Sequence, residues 1–222
     1  MREHALEEAA RSLRRGLPVL IFDDERRESE VDMVFHASFA TIDTIYTLRT
    51  VAGGLICFAT EGRIASELGI PWGDELIARI EALRPLAAKI PRYGDRTAFT
   101  IWVNHVSVKT GISDGDRSKT VLELDKVVNL VVEGRLERAL EKFRSEFQAP
   151  GHVPILATRG PKRRGHTELS IALARAAGMA PSIVLAEMLD KGRSLPLDKA
   201  VKMAEEKGWP LIRGSDILGR SL

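Results

Sequence analysis

The most constraining stretch of this chain is an acidic segment enclosed by apolar residues. Positions 23–32 read Asp-Asp-Glu-Arg-Arg-Glu-Ser-Glu-Val-Asp, so ten residues carry six carboxylates and two arginines. An apolar run at 19–22 precedes this acidic segment, and Met33-Val34-Phe35 follows it. Both flanking runs have the composition of buried strands. We therefore expect the carboxylates to be crowded together at the connection between two strands.

Two interpretations of the acidic segment are open from its composition. Crowded carboxylates repel one another unless a cation lies among them, which favours a metal site. A charged stretch between strands is also typical of an ordinary solvated loop. Other parts of the chain have to distinguish the metal site from the solvated loop.

Composition limits the class of protein. The 222 residues are 44% hydrophobic and 29% charged, which describes a globular chain. The formal net charge of +2 gives no global signal for nucleic-acid binding. The single cysteine, Cys57, excludes an internal disulfide and a zinc site built from several cysteines. Without a signal peptide or a long apolar span, we expect a cytoplasmic protein with no membrane or nucleic-acid partner.

Apolar periodicity predicts helices and strands that alternate along the chain. Helices are predicted at 3–15, from Thr41 to Gly53, and at 62–68, 74–89, 121–147 (broken at Gly134), 168–177, 197–207 and from about 215. Strands are predicted at 19–22, 31–35, 55–59, 98–103, 183–186 and 210–213, with a polar loop at 109–120 and a turn at Pro150-Gly151. No repeat or composition break divides the chain. We therefore expect one domain over residues 1–222, of the α/β (α+β) class, with helices packed on a mixed sheet.

A second informative stretch is Arg163-Arg164-Gly165-His166-Thr167-Glu168. It precedes a predicted helix, with Thr167 at or near the cap. The free N–H groups of a helix start and adjacent arginine side chains together bind phosphate. A basic turn with a capping threonine would have the same sequence, so this stretch alone leaves the phosphate site open.

Two residues are candidates for proton transfer. Histidine titrates near neutrality, which makes His152 a candidate acid or base, although a turn histidine bonded to the backbone is an equal alternative. Glu187 interrupts an apolar strand. If it is buried, its pKa rises and it can act as a general base; the alternative is that Glu187 lies at the exposed end of the strand. Cys57 is most simply a small buried residue. Combined with the acidic segment and the basic turn, these residues outline a metal-dependent enzyme acting on a small sugar phosphate.

Five motifs resemble, in the same order, those of the 3,4-dihydroxy-2-butanone 4-phosphate synthase family of riboflavin biosynthesis. They are the acidic segment 23–32, Thr110-Gly111-Ile112-Ser113 with Asp116-Arg117, Pro150-Gly151-His152-Val153, Arg164-Gly165-His166-Thr167-Glu168, and Ala186-Glu187-Met188. The similarity covers nearly the whole chain, and five motifs in register are far more specific than any one of them. The chain departs from many bacterial members at Ser29 and Val31, where they have Asn and Gly, so the sequence leaves open which of Glu28 and Glu30 faces the metal. It departs from some members at Arg164, where they have glycine.

The resemblance implies a lyase that converts D-ribulose 5-phosphate to L-3,4-dihydroxy-2-butanone 4-phosphate and formate. It implies Mg²⁺ (or Mn²⁺) held by Glu28 and His166, with two ions when substrate is bound. It also implies a monofunctional homodimer with active sites near the subunit interface, and an α/β/α sandwich-like fold. By the resemblance, His152 and Glu187 are catalytic positions. As a hypothesis for a mechanism through an enediol, we add Glu30 and Asp32 of the acidic segment as catalytic proton-transfer groups. Substrate-binding positions are Arg27, Glu28, Asp32, Thr110, Arg163, Arg164, Gly165, His166, Thr167 and Glu187.

Two other functions compete with this expectation. One is another metal-dependent sugar-phosphate lyase or isomerase on the same scaffold. The other is a nucleotide-binding or RNA-binding module, which the basic sequence pI of 8.8 favours weakly. The small net charge and the clustering of basic residues at one turn argue against the binding module.

Overall fold

The computed structural model describes residues 2–160 and 162–218. Within these ranges one mixed sheet has the strand order β4-β5-β3-β6-β2-β1-β9. The strands are β1 (Val19–Phe22), β2 (Val31–His36), β3 (Cys57–Thr60), β4 (Phe99–His105), β5 (Phe147–Ala157), β6 (Ser182–Glu187) and β9 (Leu211–Arg213), and a separate hairpin holds β7 (Leu189–Asp190) and β8 (Arg193–Ser194). Pairs β3–β5 and β1–β9 are parallel, and the other neighbours are antiparallel. The predicted mixed sheet is confirmed.

Helices cover both faces of this sheet. They are α1 (Arg2–Arg14), α2 (Ile42–Thr47), α3 (Gly62–Glu67), α4 (Gly73–Ala78), α5 (Arg84–Ala87), α6 (Asp114–Val132), α7 (Leu136–Glu146), α8 (His166–Ala176), α9 (Leu197–Lys207) and α10 (Gly214–Leu218). One core cluster joins α1, α8 and α10 to the sheet, and a larger one joins α2, α6 and α9 to the opposite face. The fold is therefore an α/β/α arrangement, as the resemblance implied. None of the described helices is long and apolar enough to cross a bilayer.

The strands next to the acidic segment are buried on both faces. In β1, Val19 and Ile21 belong to the core cluster with α1 and α8, while Leu20 and Phe22 belong to the cluster on the other face. Successive side chains of a strand point to opposite faces. A strand covered on both sides must therefore be apolar at every position, which explains the continuous run at 19–22.

The prediction of one amphipathic helix over 74–89 is wrong. This stretch forms α4, a 3₁₀ turn at Glu81–Leu83 and the short α5, which begins next to Pro85. Proline cannot continue a helix interior, because its ring collides with the preceding turn and it lacks an N–H. The apolar residues of this stretch remain exposed instead of joining the core, among them Leu76, Ile80 and Leu86.

Two more predictions are wrong, the loop at 109–120 and the turn at Pro150-Gly151. Helix α6 begins at Asp114, inside the predicted 109–120 loop, because Ser113 Oγ accepts the N–H of Asp116 as an N-cap (3.1 Å). Pro150-Gly151 is not a turn between elements but a bulge within β5, since the pairing with β4 jumps from residue 153 to residue 148. At Gly151 a Cβ would lie 2.0 Å from the carbonyl carbon of Val103, so only glycine fits there.

Glu123 of α6 is a buried anchor between two helices. It accepts hydrogen bonds from Lys119 and Lys126 at 2.8 Å, and Lys142 of α7 lies 2.8 Å from its other oxygen. Burial alone would raise the pKa of Glu123, but the three lysines lower it. The carboxylate therefore stays ionised and ties α7 to α6.

Replacing Glu123 with glutamine should lower the free energy of unfolding at pH 7 by about 1–3 kcal/mol, because the lysine cluster loses its anion. Folding lowers the pKa of Glu123. Its contribution to the free energy of unfolding is therefore fully present above the pKa that Glu123 has in the unfolded chain, and it is lost as pH falls through the pKa that Glu123 has in the folded chain. The two proteins should therefore differ at pH 7 and converge in acid, which urea unfolding at several pH values measures. Equal free energies of unfolding for the unchanged protein and Glu123→Gln at pH 7 would contradict a stabilising role of Glu123.

Candidate active site

The acidic segment folds around Asp23. This buried carboxylate accepts the backbone N–H groups of Glu28 (3.1 Å) and Glu30 (3.0 Å), and it lies 3.3 Å from Arg27 Nη1. Ser29, between the two glutamates, has a φ of 55°. Antiparallel pairing of β1 with β2 holds both ends of the segment. The segment is therefore an ordered connection with a carboxylate core, and not a solvated loop.

The first turn of α8 brings His166 to this connection. Its Nε2 donates to the carbonyl oxygen of Glu30 (3.2 Å), so its Nδ1 faces the carboxylates of Glu28 (3.4 Å) and Asp32 (3.6 Å). Gly165 is the N-cap and makes no side-chain cap bond, so the expectation of Thr167 at the cap is corrected. Helix α8 starts two residues earlier than predicted, and this puts His166 and Thr167 on its buried first turn.

The charges of these three groups depend on one another. Burial alone would lower the pKa of His166, but the charge of Asp32 and the hydrogen bond with Glu28 raise it to about 9. Burial alone would raise the pKa of Glu28, but His166 and Arg27 lower it to about 2. Burial raises the pKa of Asp32 to about 7, against the opposing charge of His166. One carboxylate is therefore firmly ionised while its neighbour titrates near neutrality.

Strand pairing adds Glu187 to the site. It lies opposite Asp32 in the β2–β6 ladder, and its Oε2 accepts the N–H of Leu55 (2.8 Å). Burial raises the pKa of the Cys57 thiol, and the charges of Glu187 and Asp32 raise it further. Cys57 is therefore an uncharged buried neighbour of these carboxylates. Glu30 turns toward the small hairpin, where the hydroxyl of Ser194 donates to it.

Arg27 stands beside the same carboxylates. Its Nη1 donates to Glu28 (2.7 Å), its Nε donates to Asp95 (3.1 Å), and its guanidinium lies over the ring of Tyr93 at 4.7 Å. Its Nη2 is buried and has no hydrogen-bond partner among the described residues. A Cβ on Gly165 would lie 2.7 Å from this Nη2. The unpaired donor therefore stands at the start of α8.

These side chains surround a cavity of about 110 Å³. Its lining includes the predicted residues Glu28, Glu30, Asp32, Arg163, His166, Thr167 and Glu187. A larger cavity, of about 750 Å³, lies between α1 and α8 and is lined by Arg164 and also by Arg163. The larger cavity contains none of the clustered carboxylates Glu28, Asp32 and Glu187, so the smaller one is the candidate active site on chemical grounds.

Five predicted residues do not line the small cavity: Arg27 and Gly165 adjoin its lining residues Glu28 and His166, and three others lie farther away. Arg164 is exposed on the side of the larger cavity. Thr110 donates its N–H and hydroxyl to Asp116 (3.2 and 3.1 Å). His152 donates its N–H to Asn104 Oδ1 (2.8 Å), and it precedes Leu156 of the cavity by four residues on β5, a span of about 13 Å.

The sequence reasoning missed four residues of the site. Asp23 was counted with the acidic segment but given no role, although it organises the connection. Tyr93, Asp95 and Ser194 lie outside every motif. Their contacts span 66 to 164 positions along the chain, as with Arg27–Tyr93, Arg27–Asp95 and Ser194–Glu30. Nothing in the local sequence around Tyr93, Asp95 and Ser194 indicates that they belong to the site.

The residues present fit a divalent cation. Ligand atoms of Asp23, Glu28 and His166 all lie within 4.8 Å of one another. Carboxylate oxygens are the donors that Mg²⁺ prefers, and the buried Oδ1 of Asp32 beside them has no hydrogen-bond partner in the described chain. A second group, His105, Glu123 and Glu146, is less suited, because Lys142 already pairs with both of its carboxylates.

Comparison with known proteins agrees with this chemistry. The model of the family described as 3,4-dihydroxy-2-butanone 4-phosphate synthase matches residues 7–219. Proteins of that name from Archaeoglobus fulgidus and Methanothermobacter thermautotrophicus are 39% and 36% identical, each over 96% of this chain and over 92% and 94% of their own lengths.

Solved structures extend the likeness to three dimensions. A 3,4-dihydroxy-2-butanone 4-phosphate synthase in a cation-free form has a TM-score of 0.76 at 25% identity, covering 97% of this chain and 96% of that one. Another, in complex with two magnesium ions, has a TM-score of 0.75 at 25% identity, covering 97% and 95%. From the family match over nearly the whole chain, and from these relatives, it follows that this chain belongs to the 3,4-dihydroxy-2-butanone 4-phosphate synthase family.

Proposed function

We propose that the cavity beside β2 and α8 carries out the reaction of this family with a divalent metal held by Glu28 and His166. The reaction converts D-ribulose 5-phosphate to L-3,4-dihydroxy-2-butanone 4-phosphate and formate, and supplies the four-carbon unit of riboflavin. One observation carries the proposal: Nδ1 of His166 lies 3.4 Å from the Glu28 carboxylate and 3.6 Å from Oδ1 of Asp32, next to an arginine whose buried Nη2 has no hydrogen-bond partner among the described residues.

The metal end of the site is proposed to be Glu28 and His166, with Asp23 behind them. Mg²⁺ or Mn²⁺ there would polarise the C2 carbonyl of the sugar. Few protein ligands leave room for substrate oxygens, which agrees with the preference of Mg²⁺ for oxygen. The relative solved with two magnesium ions supports a divalent site in this family. Two ions in this chain, and manganese as an alternative, are part of the proposal.

The phosphate end is proposed to be the start of α8. Gly165 is the N-cap of α8, and Thr167 lies in its first turn. The first turn of an eleven-residue helix has free backbone N–H groups and a positive potential, both of which favour an anion. The unpaired Nη2 of Arg27 is directed to the same place. Arg163 borders the cavity but is already paired with Glu168. Arg27 also pairs with carboxylates, through Nε and Nη1, but its Nη2 is a buried donor with no hydrogen-bond partner in the described chain, and we propose this nitrogen as a phosphate ligand.

Proton transfer is proposed to use the carboxylates between the two ends. Asp32, whose pKa burial raises to about 7, can accept the C1 proton to give an enediol and return a proton when the C3 hydroxyl leaves as water. Glu187, its cross-strand neighbour, and Glu30 are placed to exchange protons in the skeletal shift and in the hydrolytic release of C4 as formate. The same few groups act in turn as acid and base.

A formate assay tests the reaction. The protein incubated with ribulose 5-phosphate and Mg²⁺ should release formate and the four-carbon phosphate in equal amounts, and a chelator should abolish both. An isomerised sugar without formate would point to another sugar-phosphate enzyme. Formate release that persists after exhaustive chelation would remove the metal from the proposal.

Dimerisation is proposed because Thr110 and His152 lie away from the cavity of their own chain. The surface near Thr110 exposes apolar side chains, among them Ile42, Tyr46 and Ile112, as an interface between copies would require. In a homodimer Thr110 and His152 would serve the partner subunit's cavity. Light scattering should give twice the chain mass of 24.5 kDa. A monomeric, fully active protein would refute this arrangement. The single domain over 1–222 and the cytoplasmic location stay predictions.

A further inference from the structure

The segment 73–97 leaves the body of the fold and returns to it at the active site. Its helices α4 and α5 are largely exposed, yet its last residues reach the acidic segment. Tyr93 is half-buried and lines the small cavity, and Asp95 is bonded to Arg27. Neither residue belongs to a motif that suggested a function. Their common contact is Arg27, so the orientation of this side chain is what they can control.

Two of the three guanidinium nitrogens of Arg27 have hydrogen-bond partners. Nε is held by Asp95 (3.1 Å), and Nη1 by Glu28 (2.7 Å) and Asp23 (3.3 Å). The ring of Tyr93 covers the face of the guanidinium, 4.7 Å from its central carbon. A planar guanidinium fixed at one edge and on one face has a single direction left for its remaining nitrogen. That nitrogen, Nη2, is buried and has no hydrogen-bond partner within residues 2–160 and 162–218, and it points to the start of α8 at Gly165.

We propose that Tyr93 and Asp95 are positioning residues that hold Arg27 in the orientation that binds the substrate's phosphate group. This inference rests on the proposed function for the identity of the substrate, and on the geometry of Arg27 for the phosphate chemistry. Without the two residues, Arg27 would keep only the contacts of its Nη1 with Glu28 and Asp23, so the direction of Nη2 would no longer be fixed, and ordering it again on binding costs free energy.

Tyr93 also links the phosphate end to the metal end of the site. Its hydroxyl interacts with the Glu28 carboxylate, while its ring stacks on Arg27. Burial raises the pKa of Tyr93 to about 12, and the charge of Glu28 acts in the same direction, so the hydroxyl remains a donor. The ring and the hydroxyl therefore have separable effects, the ring on phosphate and the hydroxyl on the metal ligand.

Asp95→Asn distinguishes positioning from simple charge. Removing a negative charge near the site would by itself tighten the binding of an anion. Loss of the fixed Arg27 orientation should instead weaken the binding of inorganic phosphate, by about tenfold, the lower end of what loss of a supporting contact costs at metal sites. The dissociation constant is measured by calorimetry on the full chain without added metal. KM for ribulose 5-phosphate should rise by a similar factor while kcat changes less than about threefold.

Further variants make the test specific. Tyr93→Leu removes the ring and should weaken phosphate binding as Asp95→Asn does. Tyr93→Phe keeps the ring, and should leave phosphate binding unchanged while altering Mn²⁺ affinity measured by electron paramagnetic resonance. Glu81→Gln removes an exposed carboxylate from the same segment and should behave as the unchanged protein. Thermal unfolding confirms that each variant is folded.

Phosphate affinity that is unchanged or tighter in both Asp95→Asn and Tyr93→Leu would overturn the inference. Because phosphate titration needs no turnover, the two proposals fail separately. A protein that releases no formate but loses phosphate affinity in Asp95→Asn keeps the positioning role and loses the proposed reaction. A protein that releases formate and shows no change in these two variants keeps the reaction and loses the positioning role.

Discussion

Replacing Glu28 with glutamine should abolish metal binding and formate release together. The glutamate is held at 3.4 Å from His166 and is ionised, with its pKa lowered to about 2 by His166 and Arg27 against the effect of burial. Glutamine is a neutral, weaker ligand of the same shape. We expect Mn²⁺ affinity to fall at least about 100-fold, because loss of even a supporting contact to a metal ligand costs 10-fold to 100-fold. Calorimetry and the formate assay measure the two effects.

Glu25→Gln is the matched control for this experiment. Glu25 lies in the same acidic segment, but its side chain is 69% exposed and pairs with Arg213. The change in charge and shape is identical, so a non-specific effect of the acidic segment would appear in both variants. We expect Glu25→Gln to bind metal and release formate as the unchanged protein does. Normal metal affinity in a folded Glu28→Gln protein would remove Glu28 as a ligand.

Replacing Glu187 with glutamine should separate metal binding from chemistry. Glutamine keeps a carbonyl oxygen that can accept the N–H of Leu55, so the fold at the end of β6 is preserved. It cannot exchange protons, and loss of one positioned proton-transfer group typically costs about 10²–10⁴ in rate. We expect kcat for formate release to fall within that range while Mn²⁺ affinity stays within about threefold.

The comparison of the two variants is informative in itself. Glu28→Gln should lose the metal and the reaction, whereas Glu187→Gln should lose only the reaction. If Glu187→Gln turns over at the unchanged rate, Glu187 leaves the mechanism, and Asp32 and Glu30 remain as the proton-transfer groups. If Glu187→Gln instead loses metal affinity, the glutamate acts as a ligand and the proposed division of the site is wrong.

The strands of the sheet could be predicted because burial on both faces leaves a local pattern. The run at 19–22 is apolar throughout, and the structure has β1 at Val19–Phe22. The start of α6 was missed for an equally physical reason. Gly111 and Gly115 are typical of loops, but the Ser113 cap and two aspartates in the first turn outweigh a glycine cost of about 1 kcal/mol.

The long helix predicted at 74–89 was wrong because periodicity says nothing about a packing partner. The apolar spacing is present, but Pro85 breaks the helix and no layer of the described fold covers Leu76 or Leu86. Helices in proteins owe most of their stability to tertiary packing and less to propensity. Without that packing, this stretch forms only short helical turns.

Local patterns in the amino acids were sufficient for the alternation of helices and strands, for the acidic connection between two buried strands, and for the chemical groups of a metal and phosphate enzyme. They were not sufficient to tell Glu28 from Glu30, or to find Tyr93 and Asp95. Those assignments depend on contacts between distant parts of the chain, such as His166 with the 23–32 connection and Asp95 with Arg27. Such contacts form only when strand pairing and helix packing have fixed the whole fold, because the free energy that selects them is shared by the entire core.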